Sequence, residues 1–406
     1  MSKQLTIAII GGGAAGFFGA ITCAHANPTY RVIIIEKVRQ VLAKVRISGG
    51  GRCNVTHACF DPALLIQNYP RGGKELRGPF SRFQPRDTIQ WFESHRVPLK
   101  VEEDGRMFPT TDSSETIVNC LMQQARASKV ELWTERGVLD CQKTLEGFQL
   151  KLTNDEVLNC DRLLIATGSS TKTHAWLEML GHTIAPPVPS LFTFNVPNSP
   201  LLELAGTSVS KAKVSIEGTS LQQIGPLLIT HWGFSGPAIL KLSAWGARIL
   251  YDMKYRAIMR INWLPDLSVN DIKDQLMAYR QSSAIRQLST ESPFPFSKNL
   301  WKAFLMMASI SHELKWAALS NQNINSLIEI LHAGSFQIDG KSTYKDEFVT
   351  CGGINLQEIN FKTMESRICA NLYFAGEVLD IDGVTGGFNF QNAWTTAWIA
   401  GKAMAG

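Results

Sequence analysis

Residues Leu5–Gly16 read LTIAIIGGGAAG, a short β-branched run that ends in Gly11-x-Gly13-x-x-Gly16. Small apolar residues continue to about His25, Asn27-Pro28 breaks the stretch, and Arg31–Ile35 forms a second strand-like run closed by Glu36-Lys37. This is a β-α-β unit in about thirty residues. Each glycine has its own reason. The first makes a tight turn, the second lets the backbone approach a pyrophosphate, and the third lets helix and strand pack closely. Ala14 and Ala15 open the helix, where unpaired N–H groups and a partial positive charge favour an anion. Glu36, twenty residues after Gly16, accepts hydrogen bonds from a ribose diol and disfavours a 2′-phosphate, with Lys37 beside it. The pattern predicts a Rossmann-type α/β domain that binds a dinucleotide.

Further glycine clusters decide which dinucleotide. They stand at Ser48–Asn54 (Ser48, Gly49, Gly50, Gly51, Arg52, Cys53, Asn54), at Ala166, Thr167 and Gly168, at Ala375–Asp380 with Gly376, Glu377 and Asp380, and at Gly386–Gln391 with Gly387, Phe388 and Asn389. A large flat isoalloxazine needs close backbone approach from several loops. Clusters in both chain halves therefore fit FAD better than NAD. Lys44, Arg46 and Val138 join these as candidate cofactor contacts.

Composition bounds the rest. With 45% hydrophobic and 18% charged residues the chain builds an ordinary core. A formal charge of +5 over 406 residues, without a block of five or six basic residues, permits an anionic ligand and argues against nucleic acid. Eight cysteines form no C-x-x-C and no zinc spacing, which predicts reduced thiols in a cytoplasmic chain and no metal. Gln4–Asn27 carries no charge and mimics a membrane or export segment, yet its glycines weaken a helix at the middle, so no membrane partner is expected. Helices are expected at Pro85–Ser94 and at Ser114–Ala127, the latter capped by Ser113 or Ser114. Prolines crowd after Pro186, short alternating strands follow, and glycines return at Cys351. The expected organisation is an FAD-binding domain in two parts, 1–188 and 351–406. An inserted domain at 189–350 separates them, β-rich at 189–263 and 336–350 and helical at 264–335.

Several longer stretches carry a resemblance. They are Ile10–Gly16 (IGGGAAG), Lys44–His57 (KVRISGGGRCNVTH) and Gly105–Pro109 (GRMFP) in the first part, and Thr230–Leu240 (THWGFSGPAIL) in the inserted domain. Val349–Ile354 (VTCGGI), Thr363–Arg367 (TMESR) and Tyr373–Trp394 (YFAGEVLDIDGVTGGFNFQNAW) follow. Together they resemble the bacterial family of NAD(P)/FAD-dependent oxidoreductases, aminoacetone-oxidase-like or bile-acid-reductase-like flavoproteins. Fumarate reductase flavoprotein subunits are more distantly similar. The resemblance implies a discontinuous FAD domain with an inserted β-barrel and helical region, and a noncovalent cofactor. The family usually follows its ATGG turn with a longer loop of the pattern G-x-T-G-D-G-Y. Here Ala166–His182 reads ATGSSTKTHAWLEMLGH, so only Ala166, Thr167 and Gly168 are carried over.

The implied activity is hydride transfer through flavin N5 to or from a small organic substrate. Likeness to carbon–carbon double-bond reductases favours an activated C=C. No second G-x-G-x-x-G exists for a separate nicotinamide domain, so NAD(P)H, as the candidate donor, would visit the flavin face transiently. Arg52 either stabilises negative charge or is structural. Cys53 either faces the flavin as a redox thiol or is buried and inert. His231 and Asp382 are the candidate proton donors. An oxygen-using amine or amino-ketone oxidase, a flavin-carrying RNA-modifying protein and a non-catalytic interaction protein remain open alternatives. Nothing in the sequence decides the oligomeric state.

Overall fold

The N-terminal β-α-β unit sits at the centre of a seven-stranded sheet. The computed structural model describes residues 4–341 and 349–406. Thr6–Ile10 lies between Arg31–Ile35 and Arg162–Ile165, with Glu131–Trp133 and Leu372–Phe374 outside them, all parallel. Ile359–Asn360 and Glu365–Ser366 add an antiparallel edge. In register, Ile9 stands between Ile34 and Leu164. Central parallel strands are covered on both faces, which is why they read as unbroken apolar runs.

Two helices cover the sheet and matter most for the site, Ala14–Ala26 and Phe388–Ala405. A Cβ built on Gly376 would lie 3.1 Å from Ala15 and 3.8 Å from Ala393. One turn on, Gly19 faces Ala397, and a Cβ on Gly401 would lie 2.7 Å from the Gly19 carbonyl and 3.1 Å from the Cys23 amide. The C-terminal ends also meet, since the Asn27 side-chain Nδ2 donates to the Ala405 carbonyl at 3.3 Å. Contacts that climb both helices in step make the pair parallel. Their N-termini therefore open towards the same end, and small residues along the seam let the backbones approach.

The chain divides into two compact units. One holds the residues up to Val188 together with Val349–Gly406, and the other begins at Pro189. The first unit also carries two small antiparallel sheets, Val138–Lys143 with Phe148–Leu152 and Val157–Cys160, and Thr56–His57 with Arg106–Pro109 and Leu99–Val101. In the second unit six antiparallel strands run in the order Phe194–Asn195, Gly233–Ser235, Gln222–Ile229, Ser208–Ile216, Arg256–Asn262 and Gly334–Asp339. The Asn195 amide donates to the Gly340 carbonyl at 3.0 Å, which brings the two edges together as a near-barrel. Helices Val269–Ser282, Lys298–Met307 and Asn321–Ala333 share its core, around the fully buried Trp263, Trp301 and Trp316. The β-rich stretch expected at 336–350 falls partly outside the described residues; within them strands run from Gly334 to Asp339 and from Val349 to Ile354.

Gly73–Phe80 and Thr171–Met179 are helices that the sequence pattern does not announce. The first buries Gly73, Leu76, Pro79 and Phe80 on one face, but its Gly78 and Pro79 read as helix breakers, and the second buries only Thr173, His174 and Leu177 and shows no apolar stripe. Among the described residues no helix is long and apolar enough to cross a membrane, and no His/Cys/Asp/Glu group is placed to hold a metal.

Candidate functional site

The first glycine turn has the shape its residues predict. Gly11 has φ +113°, and a Cβ there would lie 2.4 Å from the Ala166 carbonyl, while a Cβ on Gly16 would lie 1.9 Å from the Gly11 carbonyl. Gly13, the residue before the helix, is different: a Cβ there meets nothing within 4 Å. Its side of the turn is open, and no side chain caps the amides of Ala14 and Ala15. Glu36 lies against this turn, accepting from the Gly12 amide at 2.8 Å and the Val38 amide at 3.2 Å. The Arg136 amide donates to the Glu36 carbonyl at 3.0 Å, and Val138 follows two residues later at the head of its strand. Lys37 is exposed.

The middle of the site draws on three distant parts of the chain. Lys44 Nζ donates to Glu377 Oε2 at 2.5 Å, and a Cβ on Gly168 (φ +62°) would lie 3.5 Å from the same oxygen. Ala166 is tied to the first strand by its amide, which donates to the Ile10 carbonyl at 2.9 Å. Thr167 Oγ1 beside it is buried with no partner among the described residues. The Asp380 amide donates to the Ile354 carbonyl at 3.2 Å. Arg46 does not join this group. It pairs with Glu115, and its carbonyl accepts from Ser114 Oγ at 2.8 Å. Accordingly neither Ser113 nor Ser114 caps the Ser114–Ala127 helix through its side chain.

At the third part of the site the helix from Ala43 unwinds at Ser48 (φ −63°, ψ 149°). Gly49, Gly50 and Gly51 then take φ of +58°, +68° and +83° in succession. A Cβ on Gly49 would touch Phe108 at 2.8 Å, whereas Gly50 and Gly51 face open space. Asn54 links this loop to the C-terminal segment. With its amide turned to satisfy its neighbours, it donates to the Thr56 carbonyl at 3.0 Å and accepts from the Gly387 amide at 2.9 Å. Gly386 and Gly387 have φ of +127° and +90°, and a Cβ on Gly387 would lie 2.5 Å from the Thr56 carbonyl. Asn389 braces the same loop, its side chain donating to the Gly383 carbonyl (2.9 Å) and accepting from the Gly383 amide (2.8 Å). Phe388 is buried with its ring 4.6 Å from that of His57.

Several expected roles change. Arg52 donates to Glu102 at 2.6 Å, lies 3.5 Å from Asp112 and stacks 4.0 Å over the Phe108 ring. Its charge is already matched, so it reads as a structural arginine. Cys53 is fully buried at φ +62°, and burial pushes its thiol up to about 12, the inert alternative. Gln391 Oε1 accepts from Thr56 (2.6 Å) and Thr88 (2.9 Å), and its Nε2 donates to Thr395 (3.0 Å). These bonds make it a brace inside the protein and not a cofactor contact. Asp382 is completely buried and paired with Arg71, which makes it part of an internal ion pair. His231 is exposed in a turn of the second unit, where Thr230 Oγ1 accepts from the Gly233 amide at 3.2 Å.

His57 is the functional position that residue reading passed over. Its Nδ1 lies 3.1 Å from the Gly386 carbonyl, and a carbonyl only accepts, so Nδ1 carries the proton. His57 thereby holds the Gly386–Gly387 turn. The available signal was its place at the end of the Lys44–His57 stretch.

The family described as "HI0933-like protein Rossmann domain" matches residues 5–403. The chain belongs to that family. It is thus a flavin-dependent oxidoreductase that binds FAD. Within curated proteins, this HI0933-like chain is 31% identical to a ribosomal RNA dihydrouridine synthase of Escherichia coli, over 98% of this chain and 97% of that one. It is 26% identical to a 3-dehydro-bile acid delta(4,6)-reductase of Clostridium scindens, over 98% of each. Among solved structures, a 3-ketosteroid-delta4-(5alpha)-dehydrogenase from Rhodococcus jostii shares the fold with a TM-score of 0.53 at 12% identity, covering 100% of this chain and 97% of that one. A flavocytochrome c3 fumarate reductase does so with a TM-score of 0.51 at 15% identity, covering 100% and 78%.

The residues present fit FAD. Open space over Gly13, Gly50 and Gly51, the uncapped starts of two parallel helices, and the partnerless Thr167 hydroxyl suit an anionic, oxygen-rich molecule.

Proposed function

We propose that this chain saturates a carbon–carbon double bond conjugated to a carbonyl, with NAD(P)H as the electron donor and noncovalent FAD as the carrier. When bound, FAD supplies hydride transfer. The chain's own residues supply an environment that favours one class of that chemistry. The Phe388–Ala405 helix starts without a side-chain cap, and its first amides stabilise negative charge held at that end. Cys53, the thiol of the Ser48–Asn54 loop, is held protonated by burial. That pairing supports direct transfer to an organic substrate over a disulfide relay. In the overall reaction NAD(P)H loses a hydride, the carbon β to the carbonyl gains it, and the α carbon takes a proton.

The double bond that the observations favour is that of a uracil base in RNA. The supporting observation is a basic and aromatic surface on the first unit. Between Lys37 and Lys100 stand twelve Lys/Arg against four Asp/Glu; Lys44, Arg46, Arg52, Arg71 and Lys100 pair with acids outside that stretch, and the other seven carry the local positive charge. Arg82 and Lys402, both exposed, each lie 5.9 Å from the centre of the Trp398 ring, which stacks on Phe83, and Arg86 lies 4.9 Å over Phe60. Burial pulls the His25 pKa down, and the nearby positive charges of His95 and Lys402 push it the same way. Cations alternating with aromatic faces suit a phosphodiester backbone with unstacked bases. The two named relatives accord with this chemistry, since dihydrouridine and a Δ4,6-reduced steroid both arise by saturating a double bond conjugated to a carbonyl.

The test is to incubate FAD-loaded protein and NADPH or NADH with a ribosomal RNA transcript, and in parallel with a 3-keto-4,6-diene steroid. RNA nucleosides are then analysed by mass spectrometry. Uridine converted to a product two mass units heavier supports the reading; turnover of the steroid alone overturns the RNA assignment, and oxygen uptake with amines and no reduction of either overturns the reductase. Arg82→Glu with Lys402→Glu should weaken RNA binding and flatten its dependence on log salt by about two. An unchanged salt slope places the RNA elsewhere.

A further inference from the structure

We propose that Asn392 is a cofactor-holding residue whose carboxamide pairs with the ribityl hydroxyls of FAD. Asn392 is completely buried, and neither its Nδ2 nor its Oδ1 has a hydrogen-bond partner among the described residues. A buried carboxamide with both atoms unpaired is costly. Its neighbours on the same helix are all satisfied: Gln391 through Thr56, Thr88 and Thr395, Asn389 through Gly383, and Trp394 through the Val55 carbonyl at 2.9 Å. A helix that satisfies every other polar group in this stretch and leaves one amide empty on both atoms points to a partner that is not protein.

Placement names the partner. One turn after Asn392, Thr396 Oγ1 donates to the Asn392 carbonyl at 2.6 Å and accepts from the Gly376 amide at 3.0 Å. Ala393, the next residue, packs on Gly376 opposite Ala15. Asn392 thus belongs to the helix face that meets Gly376 and the start of the Ala14–Ala26 helix, and helical side chains lean towards the N-terminus. That direction is the end at which both parallel helices open. The residue after Gly376 is Glu377, which gathers Lys44 and Gly168. The chemistry selects within the cofactor. Phosphate oxygens only accept, whereas Asn392 lacks both a donor's and an acceptor's partner. A hydroxyl answers both, and the ribityl chain is the run of hydroxyls between pyrophosphate and ring.

The proposal rests on FAD binding, which wild-type titration checks separately. Asn392→Leu and Asn392→Ala are compared with wild type by titrating the apoproteins with FAD and with ADP, which lacks the ribityl chain, and by melting the apoproteins. The expected result is FAD binding weakened about tenfold, ADP binding unchanged, and an apoprotein melting temperature for the leucine variant at or above wild type, because an apolar group of similar size replaces an unpaired amide. FAD affinity unchanged in a folded variant overturns the proposal. Equal weakening of FAD and ADP overturns the ribityl assignment, and a fall in apoprotein melting temperature with unchanged FAD affinity makes Asn392 structural.

Discussion

Gly387 is among the most constrained residues of the site. Its φ of +90° is strained for any side chain, and a Cβ would press on the Thr56 carbonyl at 2.5 Å, an atom of the short Thr56–His57 strand. Gly387→Val should therefore displace the turn that His57 and Asn54 hold and leave a protein that loses FAD; retention of wild-type FAD affinity in equilibrium dialysis would contradict this. Cys53 makes the opposite kind of prediction. Burial raises its thiol to about 12, so at pH 8 almost none is thiolate. Cys53 should stay unmodified when the native protein is treated with a maleimide and mapped by mass spectrometry, and should react after unfolding. Labelling of native protein at the rate of a free thiol would show the loop to be open. At this scale the sequence is an uneven guide. Glycine clusters are legible because the positive φ they allow is a property of the residue itself, even where the backbone they pack against is distant in sequence. The sequence leaves Arg52 open between two roles and gives no sign of the bonds that Gln391 makes, because their partners, Glu102 and Asp112 in one case and Thr56 and Thr88 in the other, are dozens to hundreds of residues away.

Among the elements, the parallel pair Ala14–Ala26 and Phe388–Ala405 does most to build the site. Parallel helices set their positive ends side by side, an arrangement that an anion between them stabilises. The seam depends on Gly19 and Gly401. Gly401→Leu places a side chain against the Gly19 carbonyl, 2.7 Å from a Cβ, and against Thr22 at 2.8 Å. The helices must part, so the variant should melt several degrees lower and bind FAD at least tenfold more weakly, with calorimetry and titration as the readouts. A variant with wild-type values would mean that the seam is loose. The first of these helices was legible from its glycines and neighbouring strands. Its partnership with the second was not, because the register of two helices more than 370 residues apart leaves no periodic trace in either. Gly73–Phe80 is hidden by the helix-breaking Gly78 and Pro79 within it, and Thr171–Met179 by the lack of an apolar stripe.

For the whole molecule, total and local charge give different indications. A total of +5 suggests indifference to polyanions, while exposed Arg77, Arg82, Arg86 and Lys402 lie on the unit that carries the FAD-binding turns. Local field, and not total charge, sets which ligands are steered to a surface. The identity of the reaction rests on chemistry that neither charge nor fold decides, and it is open to one direct measurement. FAD-loaded protein is reduced under strictly anaerobic conditions with a stoichiometric amount of NADPH or NADH, then mixed in a stopped-flow instrument with uridine-containing RNA, and flavin absorbance near 450 nm is followed. The account predicts that RNA restores the oxidised spectrum in a concentration-dependent way, at a rate matching dihydrouridine formation. If the reduced spectrum persists with RNA and with conjugated enones alike, and returns only on admitting oxygen, the protein is an oxidase and the central claim is wrong.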